Sequence, residues 1–298
     1  MPFFRRLLQS NRVIYVRTVT PKFFDRSHSR NMMFRLAGGD IICNIDADIF
    51  AGKNYASFVN SKFSSLPNIF LRTANYNDLC GKFAVFKKDF EAVTGYDESM
   101  TSYGYEDIDL YTRLKMLDRK PTFIKDPEFS KFISHQIEER TKNEFLANSL
   151  KQLYITFNAT EKQTIFLMKD GNFEYGTLIP HNDASGIPVA LKEDAWRKGK
   201  WSHPDNDILM LDFNDGDCLK LTCSFGGKVL NEDTVSPDRR YFLMDNPTFL
   251  RNTLYVHPML ANKARYDANV SGNRTAVNQN GFGKGEVFIN FNDTPTLV

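Results

Sequence analysis

The chain has no apolar run approaching the roughly 18 to 20 residues that a membrane-crossing helix needs, so any membrane contact is expected to be peripheral. Residues 1–8 hold two arginines among four large apolar side chains, too short and too interrupted for a signal peptide, and read as a remnant helix. Acidic and basic residues nearly cancel, at 36 and 38, and a net charge of +2 gives no electrostatic case for a nucleic-acid partner. Only four cysteines are present, Cys43, Cys80, Cys218 and Cys223, with no zinc-type pairing. Cys43, Cys218 and Cys223 fall in strand-like stretches, which predicts buried, reduced thiols and a cytoplasmic location. Glycosylation-type triplets begin at Asn158, Asn269 and Asn273, but they carry little weight without a secretory signal. No internal repeat stands out.

What the chain does have is Asp46-Ala47-Asp48, two carboxylates one residue apart, directly after the apolar run Ile41-Ile42-Cys43-Asn44-Ile45. A buried strand ending there would deliver both acids to the rim of a sheet, where open α/β folds place ligands. Hard oxygen ligands of this kind suit Mg²⁺ or Mn²⁺ carrying a diphosphate. An Asp-x-Asp is also common in surface turns. A second acidic cluster follows in Gly95-Tyr96-Asp97-Glu98 and Tyr103-Gly104-Tyr105-Glu106-Asp107-Ile108-Asp109-Leu110. From Ile108 to Leu117 the pattern predicts an amphipathic helix with Leu110, Leu114 and Leu117 on one face. Acids opening a helix are stabilised by its dipole, which accounts for each carboxylate singly but not for the glycines and tyrosines around them.

Several blocks occur together in order: Ser29-Arg30-Asn31, Ala37-Gly38-Gly39-Asp40-Ile41-Ile42, the Asp46 and Asp48 pair, Gly81-Lys82-Phe83-Ala84-Val85-Phe86 with Phe90, Gly95-Tyr96-Asp97-Glu98, and Gly104 to Leu110 with Arg113-Leu114. From about Val13 to about His135 the chain resembles nucleotide-sugar-dependent glycosyltransferases of the GT-A type, close to the family 2 enzymes and to a galactosyltransferase C-terminal motif. The resemblance implies a Mn²⁺ or Mg²⁺ cofactor held by Asp48 and Asp46, with His135 as a further ligand, although a lone His after an apolar run is also an ordinary core or edge residue. It implies donor contacts from Arg30, Asn31 and Asp46, with Arg30 alternatively a solvated cation of the patch Arg26, His28, Arg30, Arg35. Asp107 is implied as the general base of an inverting transfer, and Glu106 as a neighbour that holds the acceptor by hydrogen bonds. Tyr103 and Tyr105 are candidates to stack on an acceptor sugar.

Such a domain normally opens with a strand, a helix and a second strand that form the base-binding half of the nucleotide site. Here the first convincing strand is Val13-Ile14-Tyr15-Val16, so the chain is expected to be an N-terminally shortened, incomplete GT-A-like mixed sheet with helices, in α/β style. The partial domain is expected over 1–155 and a mainly antiparallel β-domain over 156–298.

The second half begins with a helical stretch from Ile137 to about Tyr154 and continues with short apolar runs broken by Asp170-Gly171, Asp215-Gly216 and Gly226-Gly227, signals of antiparallel hairpins. Trp196 and Trp201 flank Gly199, with one expected in the core and the other exposed; a small sheet core using both competes with a sugar-binding platform. The tail from Asn262 to Val298 shows only one good strand, Val287 to Phe291, and is expected to be partly ordered.

Two functions follow. One is a metal-dependent transferase moving a hexose or N-acetylhexosamine from a nucleoside diphosphate sugar, with a UDP-sugar favoured, to a growing polysaccharide or other glycan acceptor. The other is an inactive remnant whose β-domain binds glycans or a partner. Donor base, sugar, acceptor and oligomeric state are not legible in the residues.

Overall fold

The computed structural model describes residues 6–8, 10, 13–21, 24–74, 79, 81–134, 139, 145–157, 161–180, 188–191, 196–232 and 239–298. The chain divides into two compact units, one of residues 1–136 with 265–298 and the other of residues 137–264.

The first unit is built on a mixed four-stranded sheet. Its strands are β2 (Ile41–Asn44), β3 (Ile69–Thr73), β4 (Phe83–Phe86) and β5 (Lys120–Ile124), in the order β2-β4-β3-β5. Only the β3–β5 pair is parallel. Side chains alternate across the sheet, so each strand feeds two cores. Ile42, Phe70, Phe83 and Val85 face one way and pack with Phe34 of α1 (Arg26–Leu36), Phe90 of α3 (Lys87–Ala92), and Leu110, Tyr111 and Leu114 of α4 (Glu106–Met116). Ile69, Leu71 and Ala84 face the other way and pack with Tyr55, Val59 and Phe63 of α2 (Tyr55–Ser65). Every residue of β3 is buried, as expected for a strand covered on both faces, whereas the edge strands β2 and β5 are only partly buried. The helix expected over Ile108 to Leu117 is present as Glu106–Met116, with Leu110 and Leu114 buried and Leu117 packed against the same core.

The first strand, β1, is Val16–Thr18 rather than Val13 to Val16, and it pairs with the late strand β15 (Glu286–Ile289) instead of joining the four-stranded sheet. The tail is thus more ordered than its Asn- and Gly-rich composition suggests. β15 also pairs with β16 (Thr296–Leu297), and Phe282 packs against the core that holds Phe34 and Phe90.

The second unit is an eight-stranded antiparallel barrel. After the short helix α5 (Phe145–Ser149), strands β6 (Leu150–Ile155), β7 (Lys162–Met168) and β8 (Asn172–Pro180) follow, with β9 (Pro188–Leu191) as a branch on β8. β10 (Arg197–Asp205), β11 (Ile208–Phe213), β12 (Cys218–Ser224), β13 (Val229–Glu232) and β14 (Arg240–Leu243) complete the wall. β8 pairs with β10 and β14 returns to β6, which closes the sheet on itself. The expected Asp-Gly and Gly-Gly turns are where the hairpins fall, with Gly171, Gly216, Gly226 and Gly227 all at positive φ.

The helix expected to reach Tyr154 is corrected here: Leu150–Ile155 is a strand, because Tyr154 points into the barrel core and Leu153 out of it, a period of two rather than 3.6. Outward Leu153, Phe166 and Met168 are covered by Leu250 and Leu254 of α6 (Pro247–Ser271), a helix the sequence pattern does not announce. Neither tryptophan is an exposed platform. Trp196 stacks on His257 at 4.7 Å between ring centres, and the half-buried Trp201 donates from Nε1 to the Met168 carbonyl at 2.9 Å. The cysteine expectation also changes: Cys43 and Cys218 are exposed free thiols and Cys223 is half-buried. Among the described residues no helix is long and apolar enough to cross a membrane.

Candidate active site

Arg30 joins the two acidic motifs. It lies on α1, whose start is fixed by Asp25 accepting from the His28 amide at 2.9 Å. One guanidinium nitrogen, Nη2, donates to both carboxylate oxygens of Asp46 at 3.0 and 3.1 Å. The other, Nη1, donates to Asp107 Oδ1 at 3.1 Å and lies 3.7 Å from Glu106 Oε1. Burial works against the Arg30 charge, but Asp107, Tyr96, Asp46 and Glu106 more than offset it and hold the guanidinium protonated. Its carbon end sits over the Tyr96 ring at 5.2 Å. The acids after β2 and the acids opening α4 therefore face one cation.

Each acid is set by its local backbone. Asp46 follows the end of β2, where Asn44 Nδ2 donates to its Oδ1 at 2.9 Å and also to the Gly81 carbonyl. Asp48 is half-buried, and its carbonyl accepts from the Ile133 amide at 2.8 Å, so the segment 131–133 is zipped along the acidic loop. The isolated bridge between Ile49 and Phe132 belongs to the same zipper. His135, the third expected ligand, lies outside the described residues. Among the described residues no three His, Cys, Asp or Glu side chains gather as a metal-binding group.

Glu106 and Asp107 begin α4 directly after Tyr105, which sits at a left-handed φ of 68°. A non-glycine residue there is strained, and such strain concentrates at functional turns. Tyr96 Oη donates to Asp107 Oδ1 at 3.0 Å, so that oxygen is held from two sides. Burial first, and the Asp107 carboxylate second, push the Glu106 carboxyl up to about 7, with Arg30 and Arg26 pulling the other way. Near neutral pH Glu106 therefore holds a proton for part of the time and can donate or accept it.

The tyrosines expected at the acceptor side are half-buried. Tyr103 carries the Arg26 guanidinium 5.0 Å over its ring, and Tyr105 meets the ring of Tyr266 at 5.7 Å. Asn31 is fully buried, and both ends of its amide are in use. Oδ1 accepts from the Tyr96 amide at 2.8 Å, while Nδ2 donates to the Tyr96 carbonyl and to Glu98 Oε1 at 2.9 and 2.8 Å. Of the sequence-selected residues, Arg30, Asp46, Glu106 and Asp107 thus meet directly, and Asn31 lies beneath them as a support for the Tyr96 turn.

Four contributors have roles that the sequence does not announce. Asn269, from the end of α6, donates to Asp97 Oδ2 at 2.9 Å and Asp109 Oδ1 at 3.0 Å. Its burial also removes it from the glycosylation candidates. Asn278 donates to the carbonyls of Thr94 and Tyr96, and the Gly283 amide donates to Glu98 Oε1 at 2.6 Å. Lys82 is wholly buried and donates to the carbonyls of Phe50, Ala51 and Phe129 at 2.7, 3.0 and 2.8 Å, tying the acidic loop to the turn before residue 131. The only local signal for the two asparagines was an Asn-rich tail, and for Lys82 a charge inside an apolar block.

A family model described as the N-terminal domain of galactosyltransferase matches residues 66–135. The matched segment runs from β3 through β5 and includes Gly81, Tyr96, Glu106 and Asp107, so this part of the chain is galactosyltransferase-like. No curated protein and no solved structure matches the chain.

Proposed function

We propose that the cleft spanned by Arg30 transfers a hexose or N-acetylhexosamine, with inversion, from a nucleoside diphosphate sugar to a hydroxyl of a glycan acceptor, in the cytoplasm and toward a polysaccharide. The observation that carries this reading is the single guanidinium reaching both Asp46 and Asp107. It links one hard oxygen ligand, Asp46, to the Glu106–Asp107 pair, and so joins the two chemistries a sugar diphosphate and an attacking alcohol require.

The roles follow from the contacts. Asp107 takes the proton from the acceptor hydroxyl as its oxygen bonds to the anomeric carbon; the bond from that carbon to the phosphate oxygen breaks, and its electron pair leaves on the diphosphate. Glu106, protonated for part of the time near neutral pH, donates a hydrogen bond that fixes the acceptor. Arg30 sits between acids, and a diphosphate would offer the same guanidinium a matching anion. Asn31 keeps the Tyr96 turn, and hence the Tyr96 bond to Asp107, in place on the donor side. Tyr103 and Tyr105 line the acceptor side.

A divalent cation fits the donor set: Asp46 and Asp48 offer hard carboxylate oxygens, and Gly81 presents no Cβ against the Asp46 carboxylate. Mn²⁺ or Mg²⁺ held there, with His135 as a further candidate ligand, would stabilise charge on the departing diphosphate.

The test is transfer from UDP-galactose and UDP-N-acetylglucosamine to saccharide acceptors with and without Mn²⁺, alongside calorimetric titration of each donor. The expected result is Mn²⁺-dependent heat and product, with Asp107→Asn lowering turnover by at least about 100-fold, the scale of a lost general base. Full turnover by Asp107→Asn would remove Asp107 as base. No metal-dependent heat at millimolar donor would leave the remnant reading standing.

A further inference from the structure

We infer that the barrel unit carries a saccharide-binding site of its own, in a pocket of about 310 Å³ where the end of β6 meets the link from β14 to α6. This goes beyond the transfer reaction: every lining residue belongs to residues 137–264, and binding there needs neither donor nor the Arg30 cleft.

Phe157 is the first sign. It is 73% exposed at the pocket wall and rests on Phe242 with ring centres 5.0 Å apart, so it is held in place while one face stays open to water. It serves no barrel interior, which is filled by Tyr154, Ile165, Leu167, Leu209 and Leu211. A second ring, Phe249, lines the same pocket with the Lys162 ammonium 5.4 Å over it. Beside the rings stand Asp245, exposed and without a hydrogen bond among the described residues, and Asn246. Asn246 uses Oδ1 to cap the Phe249 amide at 3.0 Å, and its Nδ2 hydrogens have no acceptor among the described residues.

These features select a class of ligand. β6 and β14 are paired to each other through Ile155 with Phe242 and Tyr154 with Leu243, so their backbone offers no free edge to a peptide strand. A hydrocarbon chain would fill the pocket only by drawing the partnerless Asp245 carboxylate out of water, which is costly. A pyranose has one apolar face of C–H bonds to lay on an aromatic ring and a rim of hydroxyls that both donate to a carboxylate and accept from an amide. Lys162 and Asp245 carry opposite charges, which favours a neutral sugar over an acidic one. The volume lies at the lower end of small-molecule sites, enough for about one or two sugar rings.

The experiment titrates the full chain, without nucleotide or metal, with chitotetraose, β-1,4-galactotetraose and maltotetraose, followed by ¹⁵N NMR shifts and calorimetry. At least one sugar is expected to saturate at millimolar concentration with shifts at Phe157 and Asn246. Phe157→Ala and Asp245→Asn should each weaken it by about ten-fold, the scale of one lost aromatic or charged contact. Phe225→Ala, which removes an 83%-exposed ring at the β12–β13 hairpin tip, should leave affinity unchanged. No saturation by any of the three up to about 10 mM, a regime far weaker than ordinary recognition, or an equal loss in Phe225→Ala, overturns the proposal. Phe157→Ala should leave the metal-dependent donor heat unchanged, so failure of transfer and failure of this site are read separately.

Discussion

Gly81 leaves no room beside Asp46: a Cβ built at Gly81 would lie 1.9 Å from Asp46 Oδ2. A glycine between β3 and β4 therefore lets the carboxylate lie flat against the backbone, where Arg30 and Asn44 both reach it. Gly81→Ala should push the Asp46 carboxylate off Arg30 rather than break the fold, because the clash is with a side-chain end. Metal-dependent UDP-sugar affinity is expected to fall by about ten-fold or more, as for loss of one oriented ligand, with little change in melting temperature. Unchanged affinity by calorimetry would show that Asp46 does not need this position.

Glu106 makes stability depend on pH in a defined direction. Its carboxyl titrates near 4.5 in an unfolded chain and near 7 when folded, so between those values the folded protein keeps a proton that the unfolded chain has released. The stabilisation is complete below about pH 4.5 and is lost as pH rises through about 7. Glu106→Gln should flatten this slope and raise stability at pH 8 by about 1 to 3 kcal/mol. Arg30→Met should do the opposite, leaving Asp46, Glu106 and Asp107 without their shared cation, at a cost of about 3 to 5 kcal/mol that is larger at pH 8 than at pH 5. Urea titrations of both variants at the two pH values check the pair, and parallel pH profiles in the two would refute it.

The tail, expected to be only partly ordered, supplies Asn269 to a buried network in which Asp109 Oδ2 also pairs with Arg113 Nε at 2.7 Å. Asn269→Ala removes one donor shared by two buried carboxylates. A loss of about 2 to 3 kcal/mol is expected, together with weaker acceptor binding, since Asp109 lies in the first turn of α4 with Glu106 and Asp107. A loss within about 0.5 kcal/mol, the ordinary surface range, would make Asn269 a bystander.

How much was legible divides along physical lines. Local patterns carried well: Asp170-Gly171 and Asp215-Gly216 specify their own turns, and Leu110 and Leu114 mark the buried stripe of α4 whatever the rest of the chain does. The shared contact of Asp46 and Asp107 with Arg30 follows from no single spacing, because the two acids are 61 positions apart and only the folded chain brings both to one guanidinium. What stayed hidden depends on distant partners. Leu150–Ile155 looks helical alone and becomes a strand because β7 and β14 are there to pair with it. Cys43 sits in an apolar run yet is exposed because β2 is an edge strand. The helix Pro247–Ser271 contains Pro258 and many polar residues, so its apolar stripe emerges only against the outer wall formed by Leu153, Phe166 and Met168.

Lys82 separates a structural role from a chemical one in the same loop. Its ammonium is buried and donates to three carbonyls, two of them, Phe50 and Ala51, just beyond the Asp46–Asp48 acids and the third, Phe129, from the turn that leads to the 131–133 zipper. The rings of Tyr55 and Phe129 lie 4.5 and 5.7 Å from the same nitrogen, so aromatic faces add to the three carbonyls around the charge. Lys82→Met keeps the stem and removes all three charge-assisted bonds, leaving the buried Phe129 carbonyl and the part-buried Phe50 and Ala51 carbonyls without this donor. A loss of about 3 kcal/mol or more is expected, and the amides of Phe50 and Ile133, which report the zipper, should exchange with deuterium much faster than those of β3. If Asp48 serves a cation, the variant should also need more Mn²⁺ for half-maximal donor binding, whereas Asp107→Asn should leave that requirement unchanged. Full protection of the Phe50 and Ile133 amides in Lys82→Met would show that the loop holds its acids without this tether.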